Sequence, residues 1–486
     1  MSKLLRHQMD QKQSEHFNDM LLDAWSGTLA RKREAAAIFD PSGEVSRTFG
    51  EIDEQARDFE GKIDRFEAGS VVAIQIGNHP AWPALLLACL RRSVVVLPLE
   101  QSINDAERDA ALKICNAAGV VAAGPGRTGT VSGGRELKIL PLGTAASTEE
   151  WDQRPSLLKL TSGTTAAPRA IRFRSEQLLA DCNQICATMG IEDVDLNFGA
   201  IPVSHSYGCS NLLTPLIARG VAMVLSRDRL PRAVLADLTR TNATVFPGMP
   251  VFYQAFCDME NVPALPRLRL CISAGAPLSA SLARKFYEKF EQPIHSFYGS
   301  SECGGICYDR DGKIFEDGFV GSPMEDVDLV MVDPNAEPSQ VRVRSAAVGE
   351  GYFPEPDEQR LGGGIFVPDD LLARHGTGFK VAGRISDVIN VAGKKVNPAQ
   401  VEEQLLRFAG VREAIAFGRK SPQRNEEVAA CVVASAAISE TELLEFCRAR
   451  LSGWQVPKRI FIIDAIPVNE RGKISRRELA ARYAAK

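Results

Sequence analysis

The segment Leu157-Leu158-Lys159-Leu160-Thr161-Ser162-Gly163-Thr164-Thr165 passes from an apolar run into five small residues, four of which carry a hydroxyl group. An apolar stretch at 170–173 and a long helical pattern from Ser175 follow it. A loop of small residues suits phosphate, because a bulky side chain would keep the anion away from the backbone N–H groups. Taken alone, the segment is equally typical of a Ser/Thr-rich surface turn.

Apolar strand-like runs alternate with helical patterns along most of the chain. The predicted strands include 70–76, 94–97, 120–123, 221–225, 243–246 and 268–272, and a helix is predicted at 82–91. Apolar strands separated by helices are typical of parallel sheets buried on both faces. Residues 319–348 instead combine short strands with Gly, Pro and Asp turns, which predicts a small β-barrel or meander. We therefore expect an α/β N-terminal domain of stacked βαβ sheets plus a small β-barrel.

The last hundred residues predict a separate, smaller α+β domain. Asn397 followed by Pro398 predicts a capped helix start. Further strands are predicted at 413–417, 428–434 and 459–463, with a helix at 440–451. We place the domain boundary near Arg384, which gives an N-terminal domain of residues 1–383 and a C-terminal domain of residues 384–486.

The charge changes sign across this boundary. From Arg384 onward, 18 Lys and Arg residues stand against 12 Asp and Glu residues, whereas the rest of the chain has 39 against 49. A basic part beside an acidic body suggests that an anion binds where the two join. A basic surface that is simply solvated explains the same counts.

The composition is that of a cytoplasmic globular protein. Eleven cysteines, an odd number over this length, predict reduced thiols. The pairs Cys182/Cys186 and Cys303/Cys307 lack a matching pair of His or Cys ligands nearby, so we predict no metal at either. No secretory signal is recognised at the start, and the most apolar stretch, 82–90, is too short to span a bilayer. Gly124–Gly129 fits G-x-G-x-x-G, but no helical pattern follows it, so we interpret it as a turn.

Four further clusters contain residues suited to nucleotide chemistry. Residues 296–302 combine an aromatic ring, a Gly turn, two hydroxyls and a carboxylate, which suits base stacking and a magnesium ion on a triphosphate. An acidic turn at 366–371 offers a carboxylate for the paired hydroxyls of a ribose. Residues 383–398 and 467–477 complete the set, the latter with a Lys beside a turn Gly.

These five clusters, in this order, resemble the adenylate-forming superfamily of acyl-CoA synthetases, adenylation domains and luciferases. The corresponding family motifs are T-S-G-T-T-G-x-P-K-G, Y-G-x-T-E, T-G-D, G-R-x-D-D and P-x-T-x-x-G-K, and the likeness covers essentially the whole chain. The resemblance implies an ATP-dependent ligase that activates a carboxylic acid, fatty or aryl, as acyl-AMP with pyrophosphate release. The acyl group would then pass to coenzyme A.

The resemblance also implies a role for each motif residue. The phosphates of ATP would be bound by Thr161, Ser162, Gly163, Thr164, Thr165 and Arg169. Tyr298 would stack on adenine, and its neighbours Gly299, Ser300 and Ser301 would also bind ATP. Glu302 and Thr165 would bind Mg²⁺, and Asp370, helped by Arg384, would bind the ribose. Lys473 would reach the carboxylate and the α-phosphate, where a cation offsets the charge that develops during adenylation.

A mobile C-terminal domain follows from the same resemblance. Ser386 would be the hinge, and Gly393 would line the channel for pantetheine, because a glycine lets a thin arm pass close to the backbone. Ser386 stands where the family usually has Asp or Lys. The phosphate loop likewise departs from the family at Ala166, Arg169 and Ala170, and Asp369 replaces the Gly before the ribose Asp.

The acid is predicted only by class. Pro202–Gly208 resembles the P-x-x-H-x-x-G segment of fatty-acyl and aryl CoA ligases, so His205 is a candidate catalytic and acyl-pocket residue. The other predicted pocket residues are Tyr207, Gly248, Ala274 and Gly275. No acidic residue lies between Ile201 and Arg227 to pair with an ammonium group, which argues against an α-amino acid.

Three functions stay open from the sequence: a CoA ligase, a ligase that loads an acyl carrier protein, and a nucleotide-binding pseudoenzyme without turnover. We predict a small carboxylic acid as substrate, no nucleic acid and no membrane span, and a monomer or homodimer.

Overall fold

A computed structural model describes residues 19–123, 137–142, 151, 153–161, 169–228, 230–312, 317–391, 394–421, 425–435, 437–467 and 475–483. The helices in these residues are α1 (Met20–Lys32), α2 (Phe49–Ile63), α3 (Trp82–Arg91), α4 (Asp105–Ile114), α5 (Ser175–Met189), α6 (Ser206–Gly208), α7 (Thr214–Arg219), α8 (Pro231–Thr241), α9 (Pro250–Asp258), α10 (Ala280–Phe290), α11 (Pro398–Leu406), α12 (Glu440–Arg448) and α13 (Arg476–Arg482). A π-helix (Cys209–Leu213) joins α6 to α7, and Ile385–Asp387 form a 3₁₀ turn.

The described residues also form strands, which alternate with the helices in the first two thirds of the chain. They are β1 (Ala36–Phe39), β2 (Val45–Thr48), β3 (Val71–Gln75), β4 (Val95–Pro98), β5 (Ala117–Ala123), β6 (Leu137–Pro141), β7 (Leu157–Leu160), β8 (Ala170–Phe173), β9 (Leu196–Gly199), β10 (Ala222–Leu225), β11 (Val245–Gly248), β12 (Leu270–Ser273), β13 (Ile294–Ser300), β14 (Gly304–Tyr308), β15 (Phe319–Pro323), β16 (Asp328–Met331), β17 (Ser339–Arg344), β18 (Gly351–Phe353), β19 (Leu361–Gly362), β20 (Ile365–Phe366), β21 (Asp370–His375), β22 (Gly378–Arg384), β23 (Ile389–Val391), β24 (Lys394–Val396), β25 (Val411–Ser421), β26 (Asn425–Ala434) and β27 (Arg459–Ile462).

The chain divides into two compact units. The N-terminal unit comprises Met1–Leu329 and Val343–Phe366, and the C-terminal unit comprises Val330–Arg342 and Val367–Lys486. This division groups residues 367–383 with the C-terminal unit, and the domain boundary near Arg384 stays a prediction.

Two sheets with parallel centres form the N-terminal unit. In one, strands β13, β12, β11, β9, β10 and β1 lie side by side in parallel, with β2 and β14 antiparallel at opposite ends of this run. The other has the order β18-β8-β7-β4-β3-β5-β6, parallel from β7 to β5. The predicted stack of βαβ sheets is therefore confirmed.

The apolar strand faces bury large side chains between sheets and helices. One core contains Phe198, Phe246, Tyr253, Phe256 and Phe286, whose rings lie edge-on or tilted to one another. Burying an aromatic side chain of this kind stabilises a fold by roughly 1.5–3 kcal/mol, which explains why these positions are apolar. The core therefore joins strands β9 and β11 to helices α9 and α10.

The C-terminal unit has its own sheet and core. Strands β24, β23, β26 and β25 are antiparallel, and β27 adds to β26 in parallel. Val401 and Leu405 of α11 and Leu443 of α12 pack on this sheet. The Asn397 side chain accepts a hydrogen bond from the Ala399 N–H, so the predicted cap of α11 is confirmed. None of the helices in the described ranges is long and apolar enough to cross a bilayer.

Candidate active site

The stem of the phosphate loop is an antiparallel hairpin. Strands β7 and β8 pair with Leu160 opposite Ala170. Just beyond this pair, the N–H and the Oγ1 of Thr161 donate to the Arg169 carbonyl at 2.8 and 3.2 Å. The stem therefore brings the first and last predicted phosphate residues together. Ser162, Gly163, Thr164 and Thr165 lie outside the described residues, as does Ala166.

The predicted adenine and metal residues lie on a second hairpin, formed by β13 and β14. Tyr298 pairs with Cys307, and Ser300 pairs with Gly304, so Ser301 and Glu302 occupy the turn. We call Ser301–Glu302 the metal turn, because Glu302 is the predicted Mg²⁺ ligand. The Glu302 N–H donates to Ser300 Oγ at 3.1 Å, and the Glu302 carbonyl accepts from the Gly349 N–H at 2.8 Å. These bonds fix the backbone of the predicted metal ligand on both sides.

Glycines make this hairpin fit its surroundings. A Cβ on Gly299 would lie 2.5 Å from the Gly304 carbonyl oxygen. Gly304 has φ +68°, and a Cβ there would lie 2.0 Å from Asp181 Oδ1. Larger residues would therefore push the turn away from its support.

Asp181 is a buried support that the sequence did not reveal. Its carboxylate is 3% exposed and accepts from the Gly305 N–H at 3.1 Å and from Ser210 Oγ. It thereby joins α5, the π-helix and β14 behind the metal turn. The sequence did contain one signal: Asp181 is an acidic residue between the apolar Ala180 and Cys182 of α5.

Tyr352 is the second residue that the sequence did not reveal. Its O–H donates to Glu302 Oε1 at 3.2 Å from β18, which pairs with β8. The side chain is buried, and this burial, with the nearby negative charge of Glu302, raises the pKa of the phenol well above its ordinary value. Tyr352 therefore stays protonated and donates the hydrogen bond.

The ring of Tyr352 contacts the phosphate-loop stem. The Arg169 guanidinium carbon lies 5.5 Å from the centre of the Tyr352 ring, and Arg169 Nη1 lies 3.9 Å from Asp357 Oδ2. The predicted phosphate residue Arg169 and the predicted metal residue Glu302 are thus joined through one aromatic side chain.

The predicted acyl-pocket residues meet at one end of the parallel strands. His205 caps the short helix α6, since its Nδ1 accepts from the Tyr207 N–H at 3.2 Å. The Tyr207 O–H donates to the Gly248 carbonyl at 3.3 Å, and the same carbonyl accepts from the Ala274 N–H at 3.3 Å. Gly275 follows with φ +82°. His205, Tyr207, Gly248 and Ala274 are therefore brought together by direct contacts.

One hydrogen bond links residues Pro202–Gly208, which we call the histidine segment, to the metal turn. Ser206 Oγ donates to Ser301 Oγ at 3.0 Å. The Tyr207 ring also lies 5.9 Å from that of Phe297 in β13. The structure thus places the histidine segment beside the predicted adenine and magnesium residues.

Asn78 anchors the histidine segment from below and was not predicted. Its Nδ2 atom lies 3.0–3.1 Å from the carbonyl oxygens of Gly199, Ile201 and Ser226, and its Oδ1 accepts from the Val203 N–H at 2.9 Å. Such a set of bonds fixes an irregular loop that has no ladder of its own.

The predicted ribose residues are adjacent in the C-terminal unit. Asp370 and Arg384 are paired across β21 and β22, and Arg384 Nε donates to Asp370 Oδ1 at 2.7 Å. The Ile385 N–H donates to the Asp369 carbonyl at 2.8 Å, where the hinge turn begins. The two predicted ribose residues are therefore in direct contact, and their binding of ribose stays a prediction.

The predicted hinge residue Ser386 lies in the 3₁₀ turn, whereas Gly393 and Lys473 lie outside the described residues. The neighbouring Arg476, which the sequence did not single out, contacts three elements. Its guanidinium donates to Asp387 Oδ2 at 2.6 Å, to Glu402 Oε1 at 2.8 Å and to the Ala416 carbonyl at 3.0 Å. Arg476 therefore joins the segment after Lys473 to the hinge turn, α11 and β25.

Comparisons with known proteins identify a family and a fold for this chain. Residues 26–353 match the AMP-binding enzyme family, and residues 400–473 match the AMP-binding enzyme C-terminal domain. Feruloyl-CoA synthase of Amycolatopsis sp is 28% identical over 439 residues, which cover 85% of this chain and 89% of that protein. The 3,4-dihydroxybenzoate–[aryl-carrier protein] ligase of Bacillus anthracis is 29% identical, covering 67% and 74%. The crystal structure of ATP-bound MatB from Rhodopseudomonas palustris has the same fold, with a TM-score of 0.79 at 21% identity over 95% of this chain and 99% of that chain.

Proposed function

Because the chain belongs to the AMP-binding enzyme family, the adenylate-forming superfamily that its motifs resemble, we propose that it is an ATP-dependent acid–thiol ligase. In the first half-reaction a carboxylate oxygen attacks the α-phosphorus of ATP, and pyrophosphate leaves. In the second, a thiol sulfur attacks the acyl carbon, the thiol proton is lost, and AMP leaves. The product is an acyl thioester, with coenzyme A as the first candidate acceptor.

The observation that carries this proposal is the position of Glu302. Its turn contacts the histidine segment through Ser301 and Ser206, and its carboxylate contacts the phosphate-loop stem through Tyr352. If the acid binds beside His205 and the triphosphate binds beside Thr161, the Glu302 carboxylate would lie close to both substrates. Mg²⁺ is commonly bound by one or two carboxylates together with substrate phosphates, so the residues fit this ion, which would neutralise phosphate charge.

The remaining residues fit the other parts of ATP and the acid. By the resemblance, Tyr298 would stack on adenine, and the buried Asp370 carboxylate would accept the ribose hydroxyls with Arg384 beside it. Lys473 would offset the charge that builds between the carboxylate and the α-phosphate. An acid needs no general base to become a nucleophile, so we assign His205 to positioning at the mouth of the acyl pocket.

Aryl acids are the substrates that we place first. The ring of the predicted pocket residue Tyr207 lies 5.9 Å from that of Phe297, and a flat aryl ring would contact Tyr207 by stacking or edge contacts. The feruloyl-CoA synthase relative supports the same order. Fatty acids follow, because the histidine segment also resembles that of fatty-acyl ligases.

A carrier protein is the second candidate acceptor. The Bacillus anthracis relative is named as an aryl-carrier protein ligase, and the C-terminal residues of this chain carry an excess of positive charge that suits an acidic carrier. All eleven cysteines are free thiols, which supports the expected cytoplasmic location of such a ligase.

Exchange of labelled pyrophosphate into ATP, across a panel of aryl, fatty and short-chain acids, tests the first half-reaction. We expect exchange with at least one acid, and thioester formation with coenzyme A or a holo-carrier protein then identifies the acceptor. No exchange with any acid, together with measurable ATP binding, would favour a pseudoenzyme instead.

Replacing the predicted catalytic lysine separates the two half-reactions. We expect Lys473→Ala to lower pyrophosphate exchange by about 10²-fold or more, since it removes a cation aimed at developing charge. Thioester formation from supplied acyl-adenylate should persist. The exposed Lys458 offers the control variant Lys458→Ala. Unchanged exchange in Lys473→Ala would remove Lys473 from the mechanism.

A further inference from the structure

Tyr352 touches two predicted parts of the ATP site, although it belongs to none of the motifs. Its O–H donates to Glu302 Oε1 at 3.2 Å, and its ring faces the Arg169 guanidinium at 5.5 Å. The strand that carries it is fixed by pairing with β8, since Tyr352 stands opposite Ile171. The phenol therefore has a fixed position next to the carboxylate.

The hydrogen bond occupies one oxygen of the Glu302 carboxylate, and within the described residues the other oxygen has no hydrogen-bond partner. A carboxylate that is oriented by a neighbouring donor binds a cation better than one that rotates freely, because less ordering is needed on binding. Phenylalanine would fill the same space without the donor. The hydroxyl is thus the part of Tyr352 that bears on metal binding.

The ring of Tyr352 bears on the phosphate loop. The Arg169 carbonyl closes the loop stem by accepting from the N–H and Oγ1 of Thr161, while its side chain lies over Tyr352. A guanidinium over an aromatic face is an attractive contact that restrains both groups. A displacement of the Arg169 end of the stem would therefore change the positions of Tyr352 and Glu302.

We propose that Tyr352 is a positioning residue that orients the Glu302 carboxylate for Mg²⁺ and couples this carboxylate to the phosphate-loop stem. The inference rests on the proposed function, in which Glu302 is the metal ligand. It gives Arg169, which replaces the usual family Lys, a specific role as the planar cation that stacks on this ring. Tyr352 acts through Glu302 and Arg169 and does not itself contact the reacting atoms.

Metal affinity is the readout that a purely structural role would not change. Mn²⁺ binding to the full chain, saturated with a non-hydrolysable ATP analogue, is measured by electron paramagnetic resonance for the wild type and for Tyr352→Phe. We expect Tyr352→Phe to weaken Mn²⁺ binding about 10-fold, because groups that orient a metal ligand typically contribute 10- to 100-fold. In pyrophosphate exchange, the Mg²⁺ concentration for half-maximal rate should rise in parallel, with the KM for the acid changed less than about twofold.

Tyr253→Phe is the matched control. Tyr253 is also buried, but its O–H donates to the backbone carbonyls of Ile272 and Phe246, at 2.8 and 3.2 Å. Its loss should affect thermal stability without changing Mn²⁺ affinity. Equal Mn²⁺ affinity in the wild type and a folded Tyr352→Phe would overturn the proposal.

A second pair of variants tests the coupling to the loop, and decides the matter if Tyr352→Phe does not fold. Arg169→Gln removes the cation over the ring and should weaken Mn²⁺ binding about threefold. Arg169→Lys keeps the charge and should recover part of this loss. No change in Arg169→Gln would contradict the coupling. If the wild type exchanges pyrophosphate with no acid, the proposed function fails, whereas exchange with unaltered metal dependence in Tyr352→Phe contradicts only the role of Tyr352.

Discussion

The metal turn of the N-terminal unit and the hinge region of the C-terminal unit fix their predicted site residues by different contacts. Around Glu302, the supports are buried: Asp181 is 3% exposed, and Tyr352 is 4% exposed. Around the hinge, the supports are ion pairs at the surface of the unit, where the Arg476, Asp387 and Glu402 side chains are 26%, 25% and 13% exposed. One region relies on close packing and the other on charge.

The two regions therefore resist different perturbations. A buried hydrogen-bonded carboxylate with a glycine against it leaves no space for an added atom, but it is shielded from salt. A partly exposed ion pair tolerates extra volume and is weakened by salt.

The largest effect is expected from adding one methyl group to the metal turn. Gly304→Ala would force a Cβ to within 2.0 Å of Asp181 Oδ1 at a φ of +68°. We expect a loss of about 3 kcal/mol in the free energy of unfolding, from overpacking and backbone strain together. Thermal and urea unfolding of the full chain measure this loss.

Gly190 provides the control for that substitution. It has a similar φ of +62°, but a Cβ there would meet nothing within 4 Å. Gly190→Ala should therefore cost only the strain, about 1 kcal/mol. Equal losses for the two alanine variants would show that the packing around Asp181 is looser than the distances indicate.

The next largest effect is expected at the hinge region. Arg476→Ala leaves the Asp387 and Glu402 carboxylates without their shared guanidinium, and we expect about 2 kcal/mol of local destabilisation at low salt. Hydrogen exchange of α11 and α13, followed by mass spectrometry, measures this opening. Raising the salt concentration should reduce the difference from the wild type, since screening weakens the pairs in the wild type.

Arg482→Ala is the control on the same helix, because Arg482 is exposed. It should leave exchange in α11 unchanged. A difference between Arg476→Ala and the wild type that does not depend on salt would contradict the contrast between the two regions.

The smallest effect is expected at Asp53 in the N-terminal unit. Burial raises the pKa of Asp53, but hydrogen bonds from Trp25 and Arg91 and the charges of Arg91 and Arg57 outweigh it, so the pKa lies below its ordinary value. A carboxylate with a lowered folded pKa stabilises the fold above its unfolded pKa of about 3.9 and loses this effect as the pH falls through the folded value. Asp53→Asn should cost about 1–2 kcal/mol at pH 7 and nothing below the folded pKa.

Unfolding curves between pH 7 and pH 3 check this prediction. The exposed pair of Arg92 and Asp64 offers the control Asp64→Asn, which should change stability little, since exposed pairs contribute little. A cost at Asp53 that is the same at pH 7 and pH 3 would mean that its charge does not stabilise the fold.

Local patterns predicted the elements of this fold well. The helix at Trp82–Arg91 and the cap at Asn397 follow from apolar continuity and from a single polar side chain, and both depend on neighbours a few residues away. The phosphate-loop stem was not predicted as a hairpin, because Ala170–Phe173 is too short to reveal its partner strand. Its partners are chosen by the order of strands in the sheet, which crosses over repeatedly along the chain.

The sequence predicted those site residues whose own side chains suit a ligand. It did not predict the residues that only position other residues. Glu302, Asp370 and His205 are recognisable because their side chains suit a ligand. Asn78 and Tyr352 act on segments that lie far from them in sequence, with partners 121 and 50 residues away. Such contacts exist only after the chain has folded, so no local pattern reports them.

The position of β18 has a consequence for how the chain is made. Strand β8 is completed by a segment far downstream, and the nearby partners Arg174 and Glu350 are 176 positions apart. During synthesis, the apolar strand Ala170–Phe173 therefore leaves the ribosome long before its edge is covered, and an uncovered edge invites pairing with other chains. A fragment of the N-terminal unit that ends before β18 is complete at Phe353 should aggregate. In a fragment that includes β18, this strand covers the edge of β8.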